Sequence, residues 1–272
     1  MVIATTGATV ADEGAPIVYR GEFERIIPHL AADGYKAVEL HINDSREIDR
    51  EVLWTLLKRN EVQLTSIGTG SIYGKKHLNL VDSDAAIRAA AISHLEEHMI
   101  TAAPFHGIVI IGLIAGRFSD CSGSDEFQKN LKDSLYHLDE LAKKYDIYLG
   151  YELMNRFESD FLRTIIEGTS FLKSNCFKRV ILLIDTVHMN MEERDIRRAI
   201  HAGKGYIGHV HIADNDRWYP GHAHYNFYET LQALKDIGYE GALVLETKMY
   251  PCTEAAAAKS LQYLNTMLSN LE

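Results

Sequence analysis

Short continuous apolar runs alternate with longer stretches in which apolar residues recur every three to four positions. The runs fall near residues 2 to 5, 37 to 42, 63 to 68, 107 to 114, 147 to 153, 179 to 186, 206 to 213 and 241 to 246. An unbroken apolar run predicts a strand covered on both faces, as in a parallel sheet or barrel, whereas a half-exposed strand alternates. Between the runs, Phe127, Leu131, Leu135, Leu138 and Ala142 paint one stripe on a predicted helix that starts near Asp125. Asp44 with Glu47 reads as a capping box ahead of Ile48, Val52, Leu56 and Leu57. Eight such strand–helix units predict an α/β fold, a (β/α)8 barrel forming a single domain over residues 1 to 272, with a doubly wound open sheet as the fallback.

Composition narrows the class. A chain of 272 residues that is 46% hydrophobic can bury one large core, and no linker or low-complexity block divides it. The start, MVIATTGATVADEGAP, carries neither a basic stretch nor a long apolar run, which points away from secretion and membrane insertion and toward the cytoplasm. Cys121, Cys176 and Cys252 are odd in number and lack CxxC spacing, so they read as small buried apolar residues rather than disulfides or a thiolate metal site. A net charge of -10 disfavours a nucleic-acid partner and leaves a small molecule as the expected one.

Four side chains stand where the last four strands stop: Glu152 in IYLGYE, Asp185 in RVILLID, His211 in YIGHVH and Glu246 in ALVLE. Any one strand-end carboxylate is more often an ion-pair partner or a helix cap than a ligand. A barrel, however, gathers these ends at one mouth, where three carboxylates repel each other unless a cation compensates them. One imidazole with three carboxylates is a hard donor set that suits Mn²⁺, or Mg²⁺ or Co²⁺, better than a thiolate-bound structural zinc. His209, one pleat deeper, reads as a hydrogen-bonded filler, and His41, His106 and His201 as structural or solvated.

These residues resemble the sugar isomerases and epimerases of the xylose isomerase-like TIM barrels. The run Glu152-Leu153-Met154-Asn155-Arg156-Phe157-Glu158 is similar to the fifth-strand motif of ketose 3-epimerases, Asp185-Thr186-Val187-His188-Met189-Asn190 to the sixth-strand motif, and HIADNDR from His211 to Arg217 with the Pro220-Gly221-His222 turn to the seventh. Upstream, GYKAVEL and IGTGSIYG also resemble family segments, and the stretch from IGTGSIYG to VIIGLIAGR resembles epimerases of free keto sugars or keto sugar acids. The resemblance implies metal ligands at Glu152, Asp185, His211 and Glu246, acid/base roles for Glu152 and Glu246, and substrate contacts from Glu158, His188 and Arg217. It also implies a homo-oligomer, dimer or tetramer. Leu153 stands where a proline often follows the metal glutamate, and Asn226 replaces an acidic residue in the loop after the seventh strand.

The expected reaction is metal-dependent inversion of C3 of a ketose or keto sugar acid through a cis-enediolate, because two bases on opposite faces of one carbon epimerise it. The alternative is an aldose-ketose isomerase using the same site. A DNA-repair endonuclease on this fold would need histidines at the ends of strands three and four, which read SIGTG and IIGLIAG. A non-enzymatic sugar-binding barrel would exchange no C–H proton with solvent.

Overall fold

The computed structural model describes residues 1 to 69 and 71 to 271; Gly70, within the IGTGSIYG segment, lies outside the described residues. Eight parallel strands close on themselves: β1 (Val2–Ala8), β3 (Ala37–His41), β4 (Gln63–Gly68), β5 (Ile108–Ile111), β6 (Leu149–Glu152), β7 (Val180–Asp185), β8 (Ile207–Ile212) and β9 (Ala242–Leu245). They neighbour one another in chain order, and β9 returns to pair with β1 from Val2↔Ala242 to Thr5↔Leu245. A two-residue strand, β2 (Tyr19–Arg20), adds to the free end of β1. The helices are α1 (Phe23–Ala32), α2 (Arg50–Arg59), α3 (Ile72–Lys76), α4 (Ala85–Ala102), α5 (Ser124–Lys144), α6 (Ile165–Asn175), α7 (Thr186–Glu192), α8 (Ile196–Ala202), α9 (Phe227–Asp236) and α10 (Thr253–Ser269). The fold is a closed TIM barrel, and the open-sheet fallback is set aside by the β1–β9 pairing.

Closure sorts each strand's residues by parity, because alternate side chains face opposite sides. On β3, Val38 and Leu40 join the large cluster between barrel and helices, while Ala37 packs inside with Ala4, Ala242 and Val244. This small apolar plug closes the end of the barrel where the strands begin. One pleat further along, the interior becomes polar: Glu39, Ser66 and His209 meet there, all fully buried. The predicted α5 stripe is buried along its whole length, from Phe127 to Ala142.

Three local expectations are corrected. The capping box at Asp44 is not formed, since α2 begins a turn later with Asp49 accepting from the Val52 amide. Asp44 is drawn away from that role by charge: Arg46 forks its carboxylate at 2.9 and 2.8 Å, and Lys76 reaches it at 2.6 Å. Leu53 and Leu57 then form the buried face of α2, and Val52 points outward. The strand predicted over 107 to 114 is shorter, ending at Ile111 before the backbone turns at Gly112 into a 3-10 turn, Leu113–Ala115. Cys176 and Cys252 are exposed and Cys121 partly so, and all three thiols are free; each sits in a loop or at a helix end rather than on a strand. Among the described residues, no helix is long and apolar enough to cross a membrane.

Candidate metal centre

The ends of β6, β7, β8 and the residue after β9 converge. One donor atom each from Glu152, Asp185, His211 and Glu246 lies within 4.8 Å of the others. His211 sits at the centre of this group with its ring buried, and Nδ1 faces Glu246 Oε2 at 3.5 Å, Glu152 Oε1 at 3.7 Å and Asp185 Oδ2 at 3.8 Å. These separations exceed hydrogen bonds, and Nδ1 has no hydrogen-bond partner. A buried nitrogen with three carboxylates around it and no bond to any of them is the geometry expected of an ion's ligand shell. The residues therefore fit a hard divalent cation.

Each ligand candidate is held by its own element. Asp185 caps α7: its Oδ1 accepts from the Val187 amide at 2.6 Å, which leaves Oδ2 turned into the mouth. Glu152 has room because the opposing residue is Gly112, where an added Cβ would stand 2.5 Å from Glu152 Oε2. Leu153 donates its amide to Leu183 at 3.1 Å and so extends the β6–β7 ladder by a bond that a proline at this position could not make. Asn226 caps α9 by accepting from the Glu229 amide at 3.2 Å, a role that an aspartate would fill equally well.

Arg217 is the cation present in the cluster. Its guanidinium donates to Asp185 Oδ2 at 2.6 Å and also to Glu246 Oε2. Its backbone takes a left-handed turn, φ 68°, and is fixed at both ends, the amide donating to Asp214 and the carbonyl accepting from Lys248, both at 2.8 Å. The buried Asp214 carboxylate gathers the loop by accepting from the amides of Gly221, Ala223 and Tyr225. Burial pushes the carboxyls of Asp185 and Glu246 up, but the charges of Arg217 and, less directly, His211 overcome it and hold both below the usual carboxylate range. For His211 burial favours the neutral ring, yet Glu39 and Glu246 raise its proton affinity well above that of an ordinary imidazole.

The expected substrate contacts lie on the same cavity, of about 260 Å³, which suits a ligand smaller than those of the roughly 300–1,000 Å³ drug-sized pockets. The Asn155 amide nitrogen donates to His188 Nδ1 at 2.9 Å and to Glu158 Oε1 at 2.8 Å. Accepting at Nδ1 leaves the His188 proton on Nε2, which faces Glu152 Oε1 at 3.7 Å. The far rim comes from the loop after β1, with Val10, Asp12 and Pro16, and from Lys75 on α3. Lys75 and Asp12 form a loose, exposed pair at 3.6 Å.

His209 is the interior filler expected, donating to Glu39 at 3.1 Å, while His106 and His201 are exposed on the outside. His41 departs from its expected place. It is largely buried, lines the cavity and donates to Glu39 Oε1 at 2.9 Å. Glu39 itself was not singled out from the sequence. Its signal was a lone carboxylate in the middle of the apolar run AVEL, one pleat below His41, where burial must be compensated.

A parallel barrel whose mouth gathers three carboxylates and an imidazole around a small cavity defines a barrel enzyme with a potential divalent-metal site. The chain belongs to the xylose isomerase-like TIM barrel family, whose profile matches residues 27–267. The L-ribulose 3-epimerase of Mesorhizobium japonicum is 27% identical over 234 residues, covering 84% of this chain and 76% of its own length. The 3-dehydro-D-guloside 4-epimerase of Escherichia coli is 32% identical over 143 residues, 52% of this chain and 55% of its own. In fold, the D-allulose 3-epimerase of Methylomonas sp., solved in complex with D-allulose, aligns with a TM-score of 0.80 at 22% identity over 98% of this chain and 97% of that one. Family and relatives together make this protein an enzyme of the isomerase class.

Proposed function

We propose that this enzyme is a sugar epimerase that inverts C3 of a ketose or keto sugar acid, with a divalent cation, Mn²⁺ being the best match, held by Glu152, Asp185, His211 and Glu246. The observation that carries the reading is His211 Nδ1, buried, unpartnered and ringed by three carboxylates from three other strand ends beside a small cavity. When bound, the cation supplies Lewis-acid stabilisation of the negative charge that develops on the substrate's ketone and neighbouring oxygens.

The chain's own groups do the rest. Glu152 and Glu246 reach the centre from β6 and β9, strands separated by β7 and β8, so the reacting carbon lies between them. One carboxylate takes the C3 proton, leaving the substrate as its cis-enediolate, and the other returns a proton to the opposite face. Arg217 keeps Glu246 ionised and ready to accept. His188, its proton on Nε2, donates to the carbonyl end of the substrate, and Glu158, steadied by Asn155, accepts from a hydroxyl. The relatives support the chemistry from two directions, since C3 of a 2-ketose and C4 of a 3-keto sugar are both carbons next to a ketone.

Solvent-deuterium labelling tests the reading. Enzyme loaded with Mn²⁺ is incubated in D₂O with free and phosphorylated ketoses and keto sugar acids, the ion is removed, and products are read by NMR. Deuterium at C3 together with the epimer is expected. Label confined to C1 or C2 would replace the epimerase with an aldose-ketose isomerase.

A further inference from the structure

Beneath the mouth, on the first polar layer of the barrel interior, four hydrogen-bond donors converge on one carboxylate. Glu39 is completely buried, and its Oε1 accepts from His41 Nε2 at 2.9 Å. Its Oε2 accepts from Ser66 Oγ at 2.6 Å and from the Nε2 atoms of His209 and His211, both at 3.1 Å. We infer that Glu39 is the positioning residue of the metal centre: by holding the Nε2 proton of His211 it turns the Nδ1 lone pair toward the cation. The inference rests on the metal site proposed above.

An ionised carboxylate can only accept, so each imidazole nitrogen bonded to Glu39 must carry a hydrogen. That fixes the neutral His211 as its Nε2–H tautomer and leaves Nδ1 as the free donor atom, the nitrogen found unpartnered among Glu152, Asp185 and Glu246. Without Glu39 the preference would reverse, because the three carboxylates around Nδ1 attract a proton to that side. In this arrangement Glu39 is committed to donors rather than to a cation: although His209, His211 and His41 bring it within metal-binding distances, three donors crowd Oε2 and His41 takes Oε1. A buried anion one pleat below the mouth also deepens the negative potential that a cation meets.

A purely structural role would appear as lost stability of the metal-free protein, whereas positioning appears as lost metal affinity. Glu39→Gln keeps the shape and one acceptor while removing the charge. The whole chain, stripped by chelator, is titrated with Mn²⁺ and free ion is read by EPR, alongside the melting temperature of the stripped protein. Binding about 10–100-fold weaker than wild type, with turnover restored at saturating Mn²⁺ and little change in melting, is the expected result. Wild-type affinity in a folded Glu39→Gln protein would overturn the assignment. Should that variant not fold, long-range ¹H–¹⁵N NMR of the Mg²⁺-loaded wild type decides: a His211 Nε2–H proton shifted strongly downfield, as in a hydrogen bond to a carboxylate, supports the role, and an unshifted Nε2–H or protonation on Nδ1 overturns it. If wild type binds no Mn²⁺ in a manner sensitive to Glu246→Gln, the metal centre fails and Glu39's role fails with it, whereas equal binding by wild type and Glu39→Gln removes only the latter.

Discussion

Strands β6 to β9 each send an ionisable side chain to the mouth, whereas β4 and β5 send almost none. On that opposite side the chain offers Gly68 and Gly112, and these glycines matter by what they omit. A Cβ at Gly112 would press on the Glu152 carboxylate, and one at Gly68 would meet the His41 ring at 2.8 Å. Strands β6 to β9 thus bring charge to the mouth, and the ends of β4 and β5 supply the space in which the charged groups stand and a ligand fits. The difference teaches that a site of this kind is specified as much by missing side chains as by present ones.

The comparison breaks most directly at Glu246. Glu246→Gln should leave the barrel folded by circular dichroism while kcat falls by about 10²–10⁴-fold, the usual worth of a general acid or base. A variant with near-normal turnover would remove its role. On the opposite half, Gly112→Ala should displace Glu152 without touching any charge, and a shift on the order of 1 Å is expected to cost about 10² in kcat/KM. Unchanged kinetics there would mean that Glu152 has room to spare.

Smaller effects sharpen the picture. Because His211 keeps its proton above the ordinary imidazole range, an incoming cation must displace that proton from Nδ1. Affinity for Mn²⁺ should then rise by about tenfold per pH unit through neutrality and level off once pH passes the raised value. Calorimetry in two buffers of different ionisation heat should read about one proton released per ion. At the rim, a substrate carboxylate can take the place of Asp12 on Lys75, so Lys75→Met should raise KM for a keto sugar acid about fivefold, equivalent to about 1 kcal/mol, and leave a neutral ketose unaffected. The smallest change is expected from Asn226→Asp, since either side chain caps α9; stability by chemical denaturation should move by less than about 0.5 kcal/mol.

The contrast between the halves also explains what could be read early. In the second half, each mouth residue stands at or next to the end of an apolar run, so parity permits all four to face inward, and it is their combination that singles out Glu152, Asp185, His211 and Glu246. The motif around Asp185 is local as well, because that residue caps its own helix. Asp44 misled because its pattern matched a local cap while two cations compete for the same carboxylate, Arg46 two residues on and Lys76 far along the chain.

The order of apolar and polar positions by itself determined eight strands and the α5 stripe, and the motifs at the last strand ends carried the resemblance to the family and singled out the four residues at the mouth. Tertiary structure alone decided that Glu39 stands beneath His211, 172 residues away in sequence, that Gly112 makes room for Glu152, and that His41 belongs to the cavity. Parity along a strand tells which face a side chain takes, and it is a property of a few consecutive residues. Which side chains then meet across the interior depends on how β9 registers against β1 when the barrel closes, and that register is set by the packing of the whole chain.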